Sequence, residues 1–156
     1  MVDIVSPAKR SIMMSGIRGK NTKPEIIVRK LLFSAGYRYR LYRKDLPGTP
    51  DIVLPKYRCA IFVNGCFWHG HDNCPLFRLP KSNTDFWRTK IGGNISRDHE
   101  KYNSLLVNGW RIVIVWECAL KGARRLPEED FQNLLYDAVS GQKKFVTIRG
   151  NRSKAV

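Results

Sequence analysis

Residues 64–74 read NGCFWHGHDNC, which places two cysteines, two histidines, a phenylalanine and a tryptophan within eleven positions. Thiolates and imidazoles bind metals, imidazoles also move protons, and flat aromatic rings can enter a base stack. Three kinds of chemistry therefore compete for one short segment. Cys66-x4-His71-x2-Cys74 supplies three soft or borderline donors, a set that favours tetrahedral Zn²⁺. A structural zinc site takes four protein ligands. Cys118 is the candidate for the fourth, because it directly follows the apolar run VIVWE. Such a centre ties a long loop to a strand end. His69 is not needed for that count and is left free. Cys59, inside CAIFV, is expected in the core.

A second group lies just upstream. LPGTPDIVLPKYRCAIFVNG reads as a β-hairpin, with DIVL and CAIFV joined by PKYR. Pairing Leu54 with Cys59 puts Asp51 opposite Phe62. The Asp51 carboxylate and the Val63 backbone carbonyl can then approach one hard cation. Oxygen ligands beside a substrate phosphate suit Mg²⁺, which offsets charge on a scissile phosphodiester. His69, just beyond the strand, is a candidate general base near neutral pH. Plainer readings stand beside these. Asp51 also fits a turn after Gly-Thr-Pro. Glu25 is explained by Thr22-x-x-Glu25 as a helix capping box, with Pro24 in the first turn. Pro50-Asp51 before an apolar strand resembles the start of the PD-(D/E)xK nuclease motif. Phe62 and Asn64 stand where its second acid and lysine would, which implies a non-standard member of that superfamily.

These residues need a scaffold, and 156 residues are one domain's worth. Residues 6–18 predict a short basic helix, and NTKPEIIVRKLLFSAG a second, with Ile27, Leu31 and Ala35 on one face and Gly36 as its stop. Residues 37–41 predict a first strand, before the hairpin. Residues 82–107 predict a helix weakened at Gly92–Gly93, WRIVIVWE a buried strand, and Pro127–Val139 a helix with acids in its first turn. Residues 141–156 read as a basic tail. The expected fold is α/β, a central mixed sheet flanked by helices.

Net charge is +15, and between Lys9 and Lys44 eleven Lys or Arg accompany a single acid, Glu25. That imbalance suits a polyanion, most simply nucleic acid. No apolar run reaches the length of a membrane helix, and the first residues lack a signal-peptide core. A soluble cytoplasmic protein without disulfides is expected.

The chain closely resembles the bacterial very-short-patch-repair (Vsr) mismatch endonucleases. The resemblance is carried by RSIMMSGIRGKNTKPE, LPGTPDIV, YRCAIFVNGCFWHGH, TDFWRTKIGGNISRD and GWRIVIVWECAL, in order from residue 10 to about 120. It implies a restriction-endonuclease-like fold with a structural zinc site. It also implies a strand-specific nick in duplex DNA, 5′ of the thymine in a T·G mismatch left by 5-methylcytosine deamination. The ends would be 5′-phosphate and 3′-hydroxyl. By the same resemblance Asp51 and the Val63 carbonyl bind Mg²⁺, His69 is the general base, and Glu25 orders water beside the ion. Cys66, His71, Cys74 and Cys118 match the zinc ligands. Phe67, Trp68 and Trp87 match an aromatic wedge entering the DNA stack, with Met14 and Ile17 pressing in from the opposite groove. Residues 1–20 would then be a DNA-clamping helix. The implied setting is the bacterial cytoplasm at the nucleoid, with a monomer acting on mismatched DNA. Mismatch-repair proteins and a repair polymerase are its candidate partners. Two departures stand out. The family pattern has histidine where this chain has Asn64, which can hydrogen-bond a phosphate but carries no charge. The ligand loop also has an extra residue, His71-x2-Cys74 in place of His-x-Cys. The competing functions are a sequence-specific restriction-type endonuclease on the same scaffold and a zinc DNA-binding protein without catalysis.

Overall fold

A computed structural model describes residues 20–151; the expected N-terminal helix, Met14 and Ile17 lie outside them. Helix α1 is Lys23–Ser34, capped by the Thr22 side chain, which accepts from the Glu25 N–H at 3.4 Å. Glu25 reaches back to the Asn21 N–H at 3.0 Å, so the expected capping exchange forms one residue early. The buried face of α1 is Glu25, Val28 and Leu32. This corrects the expected face: Ile27 is 40% exposed, and Ala35 is exposed beyond the helix end. Turning Val28 and Leu32 into the sheet core also carries Glu25 inward.

Strand β1 is only Arg40–Leu41, followed by β2 (Ile52–Leu54) and β3 (Cys59–Asn64). β2 and β3 are antiparallel in the expected register, Leu54 opposite Cys59 and Ile52 opposite Ile61. A short 3-10 turn over Pro55–Tyr57 joins them, and Arg58 closes it with a left-handed φ of 47°. Helix α2 (Thr84–Val107) then crosses to β4 (Arg111–Trp116), which lies parallel to β3. Parallel neighbours need such a crossover. Helix α2 runs unbroken through Gly92–Gly93, against the expected weak point. Its buried Ile91 and the hydrogen bond from Asn94 to the Trp68 carbonyl, 2.9 Å, hold the flanking turn in place.

Helix α3 (Glu128–Ser140) leads to a strand within the expected basic tail, residues 141–156. β5 (Phe145–Ile148) lies parallel to β4 and completes a five-stranded mixed sheet ordered β1-β2-β3-β4-β5. Its FVTI run carried the β-prone signal, but flanking lysines and arginines obscured it.

Both faces of the sheet are covered, so its central strands read as continuous apolar runs. On one face Ile61, Val113 and Val115 pack against Val28 and Leu32 of α1 and Phe131 and Leu135 of α3. On the other, Ala60, Phe62, Ile112 and Ile114 pack against Leu105 and Trp110. Cys59 is fully buried in the first cluster, as expected. Strand alternation therefore turns Asn64 towards α2, on the same side as Ala60 and Phe62.

Candidate active site and metal centre

A cleft of about 710 Å³ opens over the ends of β2 and β3 and is lined by Glu25, Asp51, Asn64, Trp68 and His69, among others. Asp51 stands one residue before β2 and accepts the Val63 N–H at 2.7 Å. The hairpin brings the two together as expected, though the contact described runs through the Val63 amide rather than its carbonyl. Burial pushes the Asp51 carboxyl up to about 7; nearby Glu25 adds to this, while the Val63 N–H, His69 and Arg29 oppose it. A desolvated carboxylate with a second acid close by is a site that a cation would relieve.

Glu25 is 2% exposed and is held by charge-assisted contacts. Its Oε2 accepts from Arg29 at 3.1 Å, from the Asn21 N–H, and from the Tyr42 hydroxyl in a short hydrogen bond. The capping reading of Glu25 is thus met, and the same side chain also lines the cleft.

His69 follows a tight loop in which its N–H bonds the Gly65 carbonyl at 3.2 Å. Its Nδ1 lies 2.6 Å from Asp98 Oδ2 on α2. A carboxylate on Nδ1 fixes the tautomer that leaves Nε2 as a proton acceptor. Sequence reasoning missed Asp98. Its signal was a seven-residue spacing: Ile91, Asp98 and Leu105 share the inward face of α2, so an acid falls where an apolar residue was due. Lys90 and Lys101, also missed, line the same cleft. Asn64 is 3% exposed, and its Nδ2 donates to the Tyr102 hydroxyl at 2.9 Å.

Behind this cleft the four expected metal ligands meet. The donor atoms of Cys66, His71, Cys74 and Cys118 all lie within 4.8 Å of one another. His71 Nδ1 is 3.5 Å from Cys66 Sγ and 3.6 Å from Cys118 Sγ. The extra loop residue does not prevent closure, because Asn73 and Gly70 both take left-handed φ. Burial pushes His71 down to about 4, with the Arg149 cation adding, so the imidazole is neutral and able to donate a lone pair. The Cys118 thiol is pulled below its ordinary range, first by hydrogen bonding with Cys66, and also by the Gly150 N–H and Arg149. This thiolate-and-imidazole set fits Zn²⁺.

The sheet holds the cluster from behind. The His71 ring stacks on Trp116, with centroids 3.9 Å apart. Glu117 accepts the Cys66 N–H at 3.1 Å and also borders the cleft, linking the two sites. From the end of β5, the Gly150 N–H donates to Cys118 Sγ at 3.3 Å, and Arg149 donates to the Asp72 and Asn73 carbonyls at 3.0 and 2.9 Å. A Cβ at Gly150 would sit 2.4 Å from the Cys118 carbonyl oxygen, so only glycine permits this approach.

Phe67, Trp68 and Trp87 form one aromatic group, with centroids 5.2, 5.4 and 6.0 Å apart. They belong to neither core cluster. Phe86, 59% exposed and 5.3 Å from Trp87, extends the group outward.

The sequence profile of the family described as DNA mismatch endonuclease Vsr matches residues 2–75. Over 142 residues the chain is 42% identical to the DNA mismatch endonuclease Vsr of Escherichia coli, covering 91% of this chain and 90% of that protein. It is 51% identical over 135 residues to the type II nicking enzyme V.XorIIP of Xanthomonas oryzae pv. oryzae, covering 86% of this chain and 98% of the relative. It is 50% identical over 121 residues to V.NmeAIP, a type II nicking enzyme of Neisseria meningitidis, covering 78% and 86%. Fold, cleft and relatives together define a DNA endonuclease. The chain belongs to the Vsr family of DNA mismatch endonucleases. No helix among the described residues is long and apolar enough to cross a membrane.

Proposed function

We propose that the protein nicks one strand of duplex DNA 5′ of the thymine in a T·G mismatch, leaving 5′-phosphate and 3′-hydroxyl ends. The observation that carries this reading is one cleft that joins a desolvated aspartate, a carboxylate-held histidine and the half-buried rings of Phe67 and Trp68. The relatives' names support it, being a mismatch endonuclease and nicking enzymes. The fold would be a variant of the restriction-endonuclease type, acting as a monomer on bacterial DNA.

Asp51, with the Val63 carbonyl, would hold Mg²⁺. When bound, the ion offsets the phosphodiester charge that repels a nucleophile. His69 takes a proton from the attacking water, which requires its neutral form, and Asp98 orients the ring and stabilises the charge it gains. Glu25, fixed by Arg29 and Tyr42, orders water in the cleft. Lys90 and Lys101 supply positive charge towards the DNA backbone. Cys66, His71, Cys74 and Cys118 would hold a structural Zn²⁺ that fixes the loop bearing Phe67, Trp68 and His69.

Phe67, Trp68 and Trp87 act as the wedge; by the family resemblance Met14 and Ile17, outside the described residues, would press in from the opposite groove. Parting a base step costs least at a mismatch, so a wedge converts mispairing into preferential binding. Phe67→Ala and Trp68→Ala should each lower the ratio of T·G to T·A duplex affinity by roughly tenfold, on the scale of about 1–3 kcal/mol per stacked base. Steep salt dependence, set by Lys and Arg, should persist in both variants. Titrations of both duplexes at two salt concentrations check this. An unchanged ratio in both variants would reject the wedge.

A further inference from the structure

We propose that Tyr102 is a positioning residue for strand cleavage, its half-buried phenol fixing the Asn64 amide in the cleft wall beside Asp51 and His69. The proposal rests on reading this cleft as the nuclease site. Asn64 ends β3 and is 3% exposed, and its Nδ2 donates to the Tyr102 hydroxyl at 2.9 Å. The hydroxyl is itself held in place. The Tyr102 ring meets Phe62 edge-on at 5.2 Å and Phe145 at 5.8 Å, within the cluster built on Ile112 and Ile114. Burial raises the Tyr102 phenol well above its ordinary value, so it stays a neutral hydrogen-bonding group through the working pH range.

Tyr102 is also not alone on its helix face. Asn94, Asp98 and Tyr102 lie four residues apart on α2, which stacks them in one stripe. Each reaches one part of the cleft lip: Asn94 bonds the Trp68 carbonyl at 2.9 Å, Asp98 the His69 ring at 2.6 Å, and Tyr102 the Asn64 amide. One rigid helix thus aligns the aromatic loop, the histidine and Asn64 together. An amide nitrogen carries two hydrogens. The one not given to Tyr102 is available to a non-bridging phosphate oxygen, and holding the side chain beforehand removes an ordering cost from the reaction. A purely structural pairing, in which Asn64 only satisfies the half-buried phenol, predicts a different response to mutation.

The test is a double-mutant cycle on the full chain with Mg²⁺: wild type, Asn64→Ala, Tyr102→Phe and the double variant. Tyr102→Phe keeps the ring and removes only the hydroxyl. Single-turnover nicking of a T·G duplex, duplex affinity and thermal midpoint are read for each. Each single variant should nick about tenfold more slowly, the loss of one hydrogen bond, with affinity unchanged. The double variant should be no slower than Asn64→Ala. Wild-type nicking by Tyr102→Phe, or an equal slowing by Tyr102→Phe in the Asn64→Ala background, overturns the assignment. If Asn64→Ala slows nicking while Tyr102→Phe does not, the nuclease reading survives and the role of Tyr102 falls. Duplex binding without nicking by wild type rejects the nuclease reading, and this assignment with it.

Discussion

Asp51→Ala is expected to abolish nicking while leaving the fold and duplex affinity close to wild type. The carboxylate accepts the Val63 N–H at 2.7 Å and is disfavoured by burial, a setting in which a bound cation would stabilise it. Charge stabilisation by a held cation amounts to several kcal/mol, which corresponds to a rate loss on the order of 10³-fold or more. The stability effect has the opposite sign. The fold holds the Asp51 carboxyl at about 7, above its ordinary 3.8, so the folded protein binds this proton more tightly than the unfolded chain. That contribution is fully present below the ordinary carboxylate range and is lost as pH rises through 7. At neutral pH, without a cation, Asp51 is therefore a liability, and Asp51→Ala should not lower the thermal midpoint. Removing one acid from a chain of net charge +15 should, if anything, tighten DNA binding. His69→Ala should cost about 10²–10⁴-fold in rate, the usual contribution of a positioned base. Single-turnover rates, melting curves and duplex titrations decide this; full activity in Asp51→Ala would sink the mechanism.

Cys118→Ser should lower bound zinc and folding stability together. The four donors lie within 4.8 Å, and they join the 66–74 loop to the end of β4. Binding free energies of structural zinc reach about 10–16 kcal/mol in small domains, which is comparable with the whole stability of a typical protein. Here the loss is shared with a packed sheet, so the expected result is a much lower thermal midpoint and a disordered 66–74 loop rather than complete unfolding. Chelation of the wild type should reproduce it, and nicking should fall because His69 sits in the same loop. Elemental analysis with parallel melting curves tests this, and an active wild type that carries no zinc would contradict it.

Much of this site was legible because its parts are close in sequence. The Asp51–Val63 pairing follows from a hairpin whose register a two-residue alternation sets, and the Cys66, His71 and Cys74 donors fall in one loop. Cys118 was readable because VIVWE marks a strand end beside that loop. What failed depended on distant packing. Asp98 and Tyr102 contact His69 and Asn64 from a helix that passes the cleft after a long excursion, and only the inward face of α2 hints at them. Gly92–Gly93 suggested a break that tertiary anchoring of Ile91 and Asn94 overrides. The face of α1 was misassigned because a buried glutamate looks polar in any hydrophobic count. Burial of Glu25 depends on Arg29 and Tyr42, which local periodicity does not reveal. β5 was hidden by its basic neighbours, yet Arg149 and Gly150, just beyond it, hold the Asp72 carbonyl and the Cys118 sulfur of the candidate metal site.

The most direct measurement compares two otherwise identical duplexes, one carrying T·G and one T·A, incubated with the full chain and Mg²⁺. A single nick is expected in the thymine strand of the T·G duplex, immediately 5′ of the mismatched base, with no cut in the T·A duplex. Equal cleavage of the T·A duplex, or cleavage of both strands, would contradict it.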